Sequence, residues 1–487
     1  MLNQTKPNHP QIAPQVISYN WWESGDEQKR WPIPRVFMLC AFFMLGFLAP
    51  RFGGRIGIAA VFLLTAIYPS KYTSRFLSKG DFISILSVLT PAMIIGNFDA
   101  IGDLLGSETI RFSWILLVMA ALVFAARAAS ILKGPLMGCS LVFGLMALMQ
   151  IVSTFGNTDI LIGLEINVSY LLAFLTVMIA LARKDTRDAF VWQFCLISVV
   201  NSGFSSFEIL NPSSTISISS SRSVLELTVR SAGLYANAIA SGLMAANCLL
   251  LTSMACTKSN ASSAEKLALI SLAGISGVGI LTTFSRTAAL SFFLAGVLTA
   301  FRLSNNRFGR FVQYIPPVFI LILVSFFGAG EYLTTRGNLH SSASSRYTMV
   351  KDAMMGDFSA IGNAVHERTL VWQSSRKYWK NPKLLGNGFG FVAQKGLFPP
   401  HNMIILQLVE IGWVGVILFL GMVVYLCGFG GWQFRFSNLV LFGSIFLPLA
   451  LLVLESHSLL TRRYFTIYFV ELVFATRILF NAKAIRK

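Results

Sequence analysis

Charge is what this chain is shortest of. Asp, Glu, Lys and Arg make up 12% of its 487 residues, where a soluble globular protein carries about a quarter. With 55% hydrophobic residues and a mean hydropathy of +0.66, that shortage excludes a soluble domain. Cysteine is scarce as well. Its six copies lie in or at the ends of apolar runs, and none forms a CxxC pair. A disulfide framework and a thiolate metal site are therefore not expected. Three chemical signatures are missing: the phosphate loop GxxxxGK[ST], the zinc motif HExxH, and the Asp-x-Asp pair that holds a nucleotide-sugar metal. The glycine-rich "GNGFGF" has no strand before it and no helix after it, so it does not read as a dinucleotide fingerprint. Any reaction of this chain is expected to run without ATP, nucleotide sugar, cofactor or metal.

What is present is apolar sequence in runs of membrane-spanning length, about 20 residues each. The short alternating segments of a β-barrel are not the pattern here. The fold class expected is all-α: a polytopic membrane protein with about 12–14 transmembrane helices and one large periplasmic loop. Fourteen spans fit, at 36–50, 56–70, 82–97, 112–126, 135–152, 160–182, 189–206, 233–252, 267–283, 287–301, 312–328, 403–427, 439–455 and 464–480. The first two also fit one re-entrant pair. Five regions follow: a tail 1–35, spans one to eleven over 36–328, a loop 329–401, spans twelve to fourteen over 402–480, and a tail 481–487. The first tail is polar and holds Pro, Trp and charge, unlike a cleaved signal peptide. The first span is expected to serve as its own insertion signal.

The net charge of +18 suggests nucleic acid only until the basic residues are sorted by side. Alternate connections, including both tails, hold 21 Lys and Arg, against 8 in the opposite short connections. Cytoplasmic connections carry that excess. Both termini are thus expected inside, and the loop 329–401 outside. No nucleic-acid partner is expected. The loop is too long for a passive connection. It holds "SSRYTMVKDAMM" and "ERTLVWQSSRKYWK", both with helical spacing of apolar residues, before "NPKLLGNGFG" breaks the pattern. No internal repeat of 20–50 residues stands out.

Four basic or titratable residues gather near the outer ends of the spans: Arg230, Arg286, Arg368 and His401. The plain reading of an outer Arg is snorkelling to lipid phosphate. Arg286 sits in a turn of a few residues, where an Arg in hydrocarbon costs about 2.5–3.5 kcal/mol. Guanidinium forks bind phosphate oxygens bidentately, and two of them suit a diphosphate. His401 follows Pro399 and Pro400 at the mouth of span twelve. There it is either a helix-end hydrogen-bonding residue or a proton acceptor near neutral pH.

These residues resemble the O-antigen ligase and polysaccharide polymerase superfamily. The resemblance rests on "RTLVW" (Arg368, Trp372), "NPKLLGNGFG" (Pro382, Gly386, Gly388, Gly390), "HN" (His401, Asn402) and "EIGWVG" (Glu410, Gly412, Gly415). Upstream, "SRTA" (Ser285, Arg286) and "RSAGLYANAIA" (Arg230, Gly233, Asn237) match two further elements. The last reads Tyr-Ala-Asn where the family has Asn-Pro-Asn. The resemblance implies a metal-independent glycosyltransferase of a bacterial inner membrane, with a glycan on undecaprenyl diphosphate as donor. It implies His401 as the catalytic base, Arg230 and Arg286 on the diphosphate, with Arg368 as a third candidate. Asn402 and Glu410 are expected to support the site, Glu410 by tying spans together. Gly412 and Gly415 are expected to let a neighbouring helix approach.

Three readings remain open on this basis. A polymerase would join lipid-linked repeat units into O-antigen or exopolysaccharide, with a chain-length regulator and a flippase as partners. A ligase would move the glycan onto lipid A-core. A transporter or flippase is disfavoured, because transporters place polar groups at mid-depth and are built from repeats.

Overall fold

The computed structural model describes residues 33–67, 79–95, 112–131, 135–155, 182–211, 238–256, 263–283, 383–395 and 402–428, with isolated positions between them. The first tail, the expected spans 439–455 and 464–480, and most of the loop 329–401 lie outside the described residues. So do nearly all of the expected spans 287–301 and 312–328.

Every described element is helical. Among the described residues seven helices precede the loop: α1 (Ile33–Ile67), α2 (Phe82–Ile95), α3 (Phe112–Ile131), α4 (Pro135–Thr154), α5 (Lys184–Leu210), α6 (Ala238–Cys256) and α7 (Ser263–Thr283). Four follow within and after it: α8 (Arg376–Trp379), α9 (Phe391–Gln394), α10 (Met403–Glu410) and α11 (Gly412–Gly428). The apolar character of the longer helices fits a polytopic membrane protein. Among the described residues, α1, α5 and α7 each contain a window long and apolar enough to cross a bilayer.

The centre is α5. Of its window Ala189–Leu210, 94% is buried inside the protein, including Phe190, Phe194 and Phe204. Helices α1, α2, α6 and α7 pack around it. In lipid there is no hydrophobic gain from joining two apolar helices, so close backbone approach and packing must drive the association. Glycine supplies that approach. A Cβ at Gly46 of α1 would meet the Val200 carbonyl of α5, and one at Gly203 of α5 would meet the Phe43 carbonyl of α1. On the other side, Gly279 of α7 faces the Ser202 hydroxyl and the Ala245 Cβ of α6.

Two elements differ from the pattern expected from sequence, α5 and span twelve, and α1 takes the paired form given as its alternative. Helix α1 is hydrogen-bonded through both of the first two expected spans, with Pro50 inside it. Residues eight apart in a straight helix are separated by about 12 Å. Yet a Cβ at Gly57 would lie 2.6 Å from the Ala49 carbonyl oxygen. The helical stretch therefore doubles back on itself, as a paired or re-entrant segment must. Helix α5 runs past its expected end to Leu210, which brings Glu208 onto the helix. Span twelve is not one helix but two. Ile411 leaves the helix with φ −111° and ψ −5°, and Gly412 takes φ +74°.

At one end of the bundle three chain segments meet on Asp81. Its carboxylate caps α2 by accepting the Ser84 N–H at 3.0 Å, and accepts the Ser84 hydroxyl at 2.6 Å. Arg127 and Arg183 lie 3.8 Å from its two oxygens, and Arg127 also donates to the Ser84 hydroxyl at 2.6 Å. The Ser84 hydrogen bonds, helped by the two guanidinium charges and opposed by slight burial, hold the Asp81 carboxyl below its ordinary value. All three segments belong to the same expected set of connections.

Candidate functional site

The opposite end of α5 carries a polar stripe. Asn201, Ser205 and Glu208 stand at positions i, i+4 and i+7, which places them on one face of a helix. All three are buried. The face meets the start of α6 and the isolated Gly233. The Asn201 amide donates to the Ser241 carbonyl at 3.5 Å, and the Ser241 hydroxyl donates to Asn201 Oδ1 at 3.3 Å. The Glu208 carboxylate accepts the Gly233 N–H at 2.8 Å.

Gly233 is required there. Its φ is +57°, a region that only glycine enters cheaply. A Cβ would also run into the Ser241 hydroxyl and lie 2.6 Å from Asn201 Oδ1 and 2.9 Å from Ser205 Oγ. The next residue of α6 continues the junction. A Cβ at Gly242 would lie 2.6 Å from Thr283 Oγ1, 2.8 Å from Ala288 Cβ and 3.2 Å from Ser285 Cβ. Ser285 is buried and starts the next helical turn, its hydroxyl accepting from Ala288 N–H at 3.4 Å and its carbonyl from Ala289 N–H at 2.9 Å. Adjacent residues Ser241 and Gly242 thus hold the Gly233 segment on one side and the Ser285 segment on the other. Arg230 precedes Gly233 by three residues and Arg286 follows Ser285 directly. Both arginines lie outside the described residues; what meets at Ser241 and Gly242 is Gly233 on one side and Ser285 on the other.

A second junction forms at the break between α10 and α11. Asn402 is the N-cap of α10, extended at φ −149°, with its side chain accepting the Ile405 N–H at 3.1 Å. That satisfies one of the orphan donors of the first helical turn. Glu410 ends the same helix. Eight helical residues span about 12 Å, so Asn402 and Glu410 are not neighbours. The glycine-rich segment 383–390 lies against the Glu410 end. Asn387 donates its N–H to the Val409 carbonyl at 3.0 Å and its amide to the same oxygen at 2.9 Å. Gly388 N–H donates to the Glu410 carbonyl at 2.9 Å. The Glu410 carboxylate is 5% exposed and accepts the Val392 N–H at 3.3 Å, while Ser153 of α4 donates to the Glu410 carbonyl at 3.3 Å.

Three glycines of this segment take left-handed φ: Gly386 at +71°, Gly388 at +109° and Gly390 at +83°. The expectation for Gly412 changes here. It admits no neighbouring helix: the space of its absent Cβ is filled by the Lys383 and Leu384 carbonyls and the Gly386 N–H. Gly415 likewise faces Ile411 and Gln407 of its own chain turn, with Gln407 Oε1 3.3 Å from the Cβ position. The Glu410 carboxylate meets the backbone of the segment 383–395, and its backbone carbonyl meets Ser153 of α4.

His401 and Arg368 lie outside the described residues. Trp372, near Arg368 in sequence, accepts the Trp379 indole N–H on its carbonyl at 3.0 Å. The Tyr378 ring meets Phe391 edge-on at 5.1 Å. That contact joins α8 to α9 and the glycine segment. Sequence reasoning passed over Glu208, Asn201 and Ser241. The signal was there in "NSGFSSFEIL": a carboxylate and an amide on one stripe of an otherwise apolar segment, where polar groups are costly.

Residues 271–420 match the family described as O-Antigen ligase. The matched stretch contains Arg286, Arg368, His401, Asn402 and Glu410 but not Arg230. It is consistent with a member of the O-antigen ligase and polymerase superfamily, a group of glycosyl-transferring membrane enzymes. No curated protein and no solved structure matches the chain.

Proposed function

We propose that this chain is a polysaccharide polymerase. It transfers a glycan from undecaprenyl diphosphate to a hydroxyl of an acceptor sugar at the periplasmic face of a bacterial inner membrane. The observation that carries this reading is the convergence of the Gly233 and Ser285 segments on Ser241 and Gly242. Gly233 lies three residues from Arg230 in the sequence and Ser285 adjoins Arg286, so a diphosphate clamp built from the two arginines would have a common anchor there. The match over 271–420 supports it.

The chemistry assigned to the site balances as follows. An acceptor hydroxyl oxygen forms a bond to the anomeric carbon of the donor. The bond from that carbon to the diphosphate oxygen breaks, and undecaprenyl diphosphate leaves as the anion. Arg230 and Arg286, with Arg368 as a third candidate, stabilise the charge that builds on the leaving group. The acceptor's proton passes to His401. Imidazole is too weak a base to remove it beforehand, so transfer accompanies bond formation. Asn402 caps the helix that follows His401, and Glu410 anchors the glycine segment of the same loop.

A ligase that uses lipid A-core as acceptor is the second reading, favoured by the description of the matched family. The two share a donor and separate on the acceptor. Purified protein in lipid nanodiscs, given lipid-linked repeat units alone, yields longer lipid-linked chains if it is a polymerase. If chains form only on added lipid A-core, it is a ligase. No product in either case, without any ion gradient, would return the transporter reading. Side of the membrane is tested separately. Single cysteines at Lys79, Lys184 and Arg307 should resist an impermeant thiol reagent in intact spheroplasts, and one at Lys395 should react.

A further inference from the structure

We propose that Glu208 of α5 is a positioning residue of the outer-face site. Its carboxylate fixes Gly233, three residues from Arg230 in the sequence, and, through Ser241 and Gly242, ties it to Ser285, which precedes Arg286. The inference rests on the diphosphate reading above, and it lies outside the stretch that matches the family.

Four observations point the same way. Glu208 is 6% exposed, and a carboxylate is seldom buried unless its oxygens have partners. Among its partners is a backbone N–H, that of Gly233, at 2.8 Å. A charge-assisted bond of that kind is about twice as strong as a neutral one. The rest of the stripe aims at the same spot. Asn201 is bonded to Ser241 in both directions. Ser205, fully buried, has no hydrogen-bond partner for its hydroxyl among the described residues and lies 2.9 Å from the Cβ position of Gly233. By contrast, the hydroxyls of Ser202 and Ser206, off this stripe, turn back to carbonyls of their own helix at 2.9 and 2.8 Å. Finally, Gly233 has no room for a Cβ. A segment so closely seated cannot slide along α5, so the carboxylate sets its register.

What the bond needs is an acceptor oxygen at the right reach. That separates it from a role of the charge itself. Glu208→Gln keeps an oxygen at the same distance. Glu208→Asp keeps the charge but withdraws it by one methylene. The test uses full-length protein in lipid nanodiscs, with undecaprenyl diphosphate as probe and binding read by native mass spectrometry. Thermal melting of each variant without ligand is recorded alongside. Glu208→Gln, which keeps the acceptor oxygen but not the charge, should bind only about fivefold more weakly than the wild type. Glu208→Asp and Glu208→Ala should bind about ten- to a hundredfold more weakly, the size of one lost charge-assisted bond. Gly233→Ala should show a similar loss, and adding it to Glu208→Asp should cost little more, because both break one linkage.

Wild-type affinity in Glu208→Asp together with a loss in Glu208→Gln would overturn the inference in favour of a charge effect. Wild-type affinity in Glu208→Asp, Glu208→Gln and Gly233→Ala alike would overturn it outright. Either result leaves the diphosphate reading standing. A wild-type protein that does not bind undecaprenyl diphosphate would remove that reading and this inference together.

Discussion

The two ends of α5 use a carboxylate in opposite ways. At one end Asp81 sits between Arg127 and Arg183, its side chain 36% exposed and theirs 13% and 42%. Charge answers charge at 3.8 Å, partly in reach of water, an arrangement worth about 0–1 kcal/mol per pair. Its geometry is forgiving, because a long Arg can find the same partner from many rotamers. At the other end Glu208 is buried and grips a backbone N–H beside a glycine whose φ and Cβ space admit no substitute. Glu410 repeats the device at the second junction, with the Val392 N–H and the left-handed glycines of 386–390. One end is pinned by interchangeable side chains and the other by backbone that must sit in one place. An end built to hold helices together needs only the first kind of pin. An end that must hold reacting groups within a fraction of an ångström needs the second.

If that contrast is right, substitutions at the fixed end should be far more damaging than those at the forgiving one. His401→Ala should give the largest effect, a loss of about 10²–10⁴-fold in glycan product at normal expression, the usual worth of a general base. His340→Ala, His366→Ala and His457→Ala are the controls. Polysaccharide yield in a deletion strain measures it, and equal losses from all four would remove His401 from the chemistry. Next comes Arg286→Lys. A point charge does not copy a bidentate fork, so activity should fall by about tenfold or more. Full activity in Arg286→Lys and Arg286→Ala would reduce this residue to a lipid anchor.

Gly412→Ala tests the backbone at the second junction. Left-handed φ costs a non-glycine residue about 1–3 kcal/mol, and the Cβ would meet three backbone atoms of the 383–386 segment. A clear drop in melting temperature should accompany loss of activity. Gly421, with nothing near its Cβ position, should tolerate alanine.

The smallest effect belongs to the forgiving end. Asp81→Asn should lower stability by no more than about 1 kcal/mol, and less in high salt, with product unchanged. The pH dependence has a definite sign. The Asp81 carboxyl is held below its ordinary value, first by Ser84. Its stabilising contribution is therefore present above the ordinary value and lost as pH falls through the lowered one. Acid melting curves of the wild type and Asp81→Asn should converge below that range. A loss of activity in Asp81→Asn as large as that in Gly412→Ala would break the comparison.

Much of the fold was legible, because a bilayer leaves the chain few choices. A backbone in hydrocarbon must satisfy its own hydrogen bonds, so composition and run length alone give an all-helical multispan chain. Helices α2, α3, α4 and α7 fall where apolar runs placed them. The misplacements came where polar chemistry overrides the run. "VEIGWVG" reads as unbroken apolar helix, yet Gly412 turns left-handed because three backbone atoms of a distant loop occupy its Cβ space. Span seven, expected over 189–206, runs on to Leu210. The helix continues because Gly233 supplies the hydrogen bond that a buried carboxylate requires.

The sequence by itself determined the fold class, the excess of basic residues in one set of connections, and which residue types could do chemistry on a diphosphate. These depend on composition, spacing and solvent, all local along the chain. Only the tertiary structure decided that Gly233 and Ser285 meet at Ser241–Gly242, and that the Glu410 carboxylate faces the glycine loop while its backbone carbonyl meets α4. Those contacts join positions tens to hundreds of residues apart, as Ser153 joins Glu410. No local propensity encodes such a pairing: it is set by which backbones can approach closely enough to exchange hydrogen bonds.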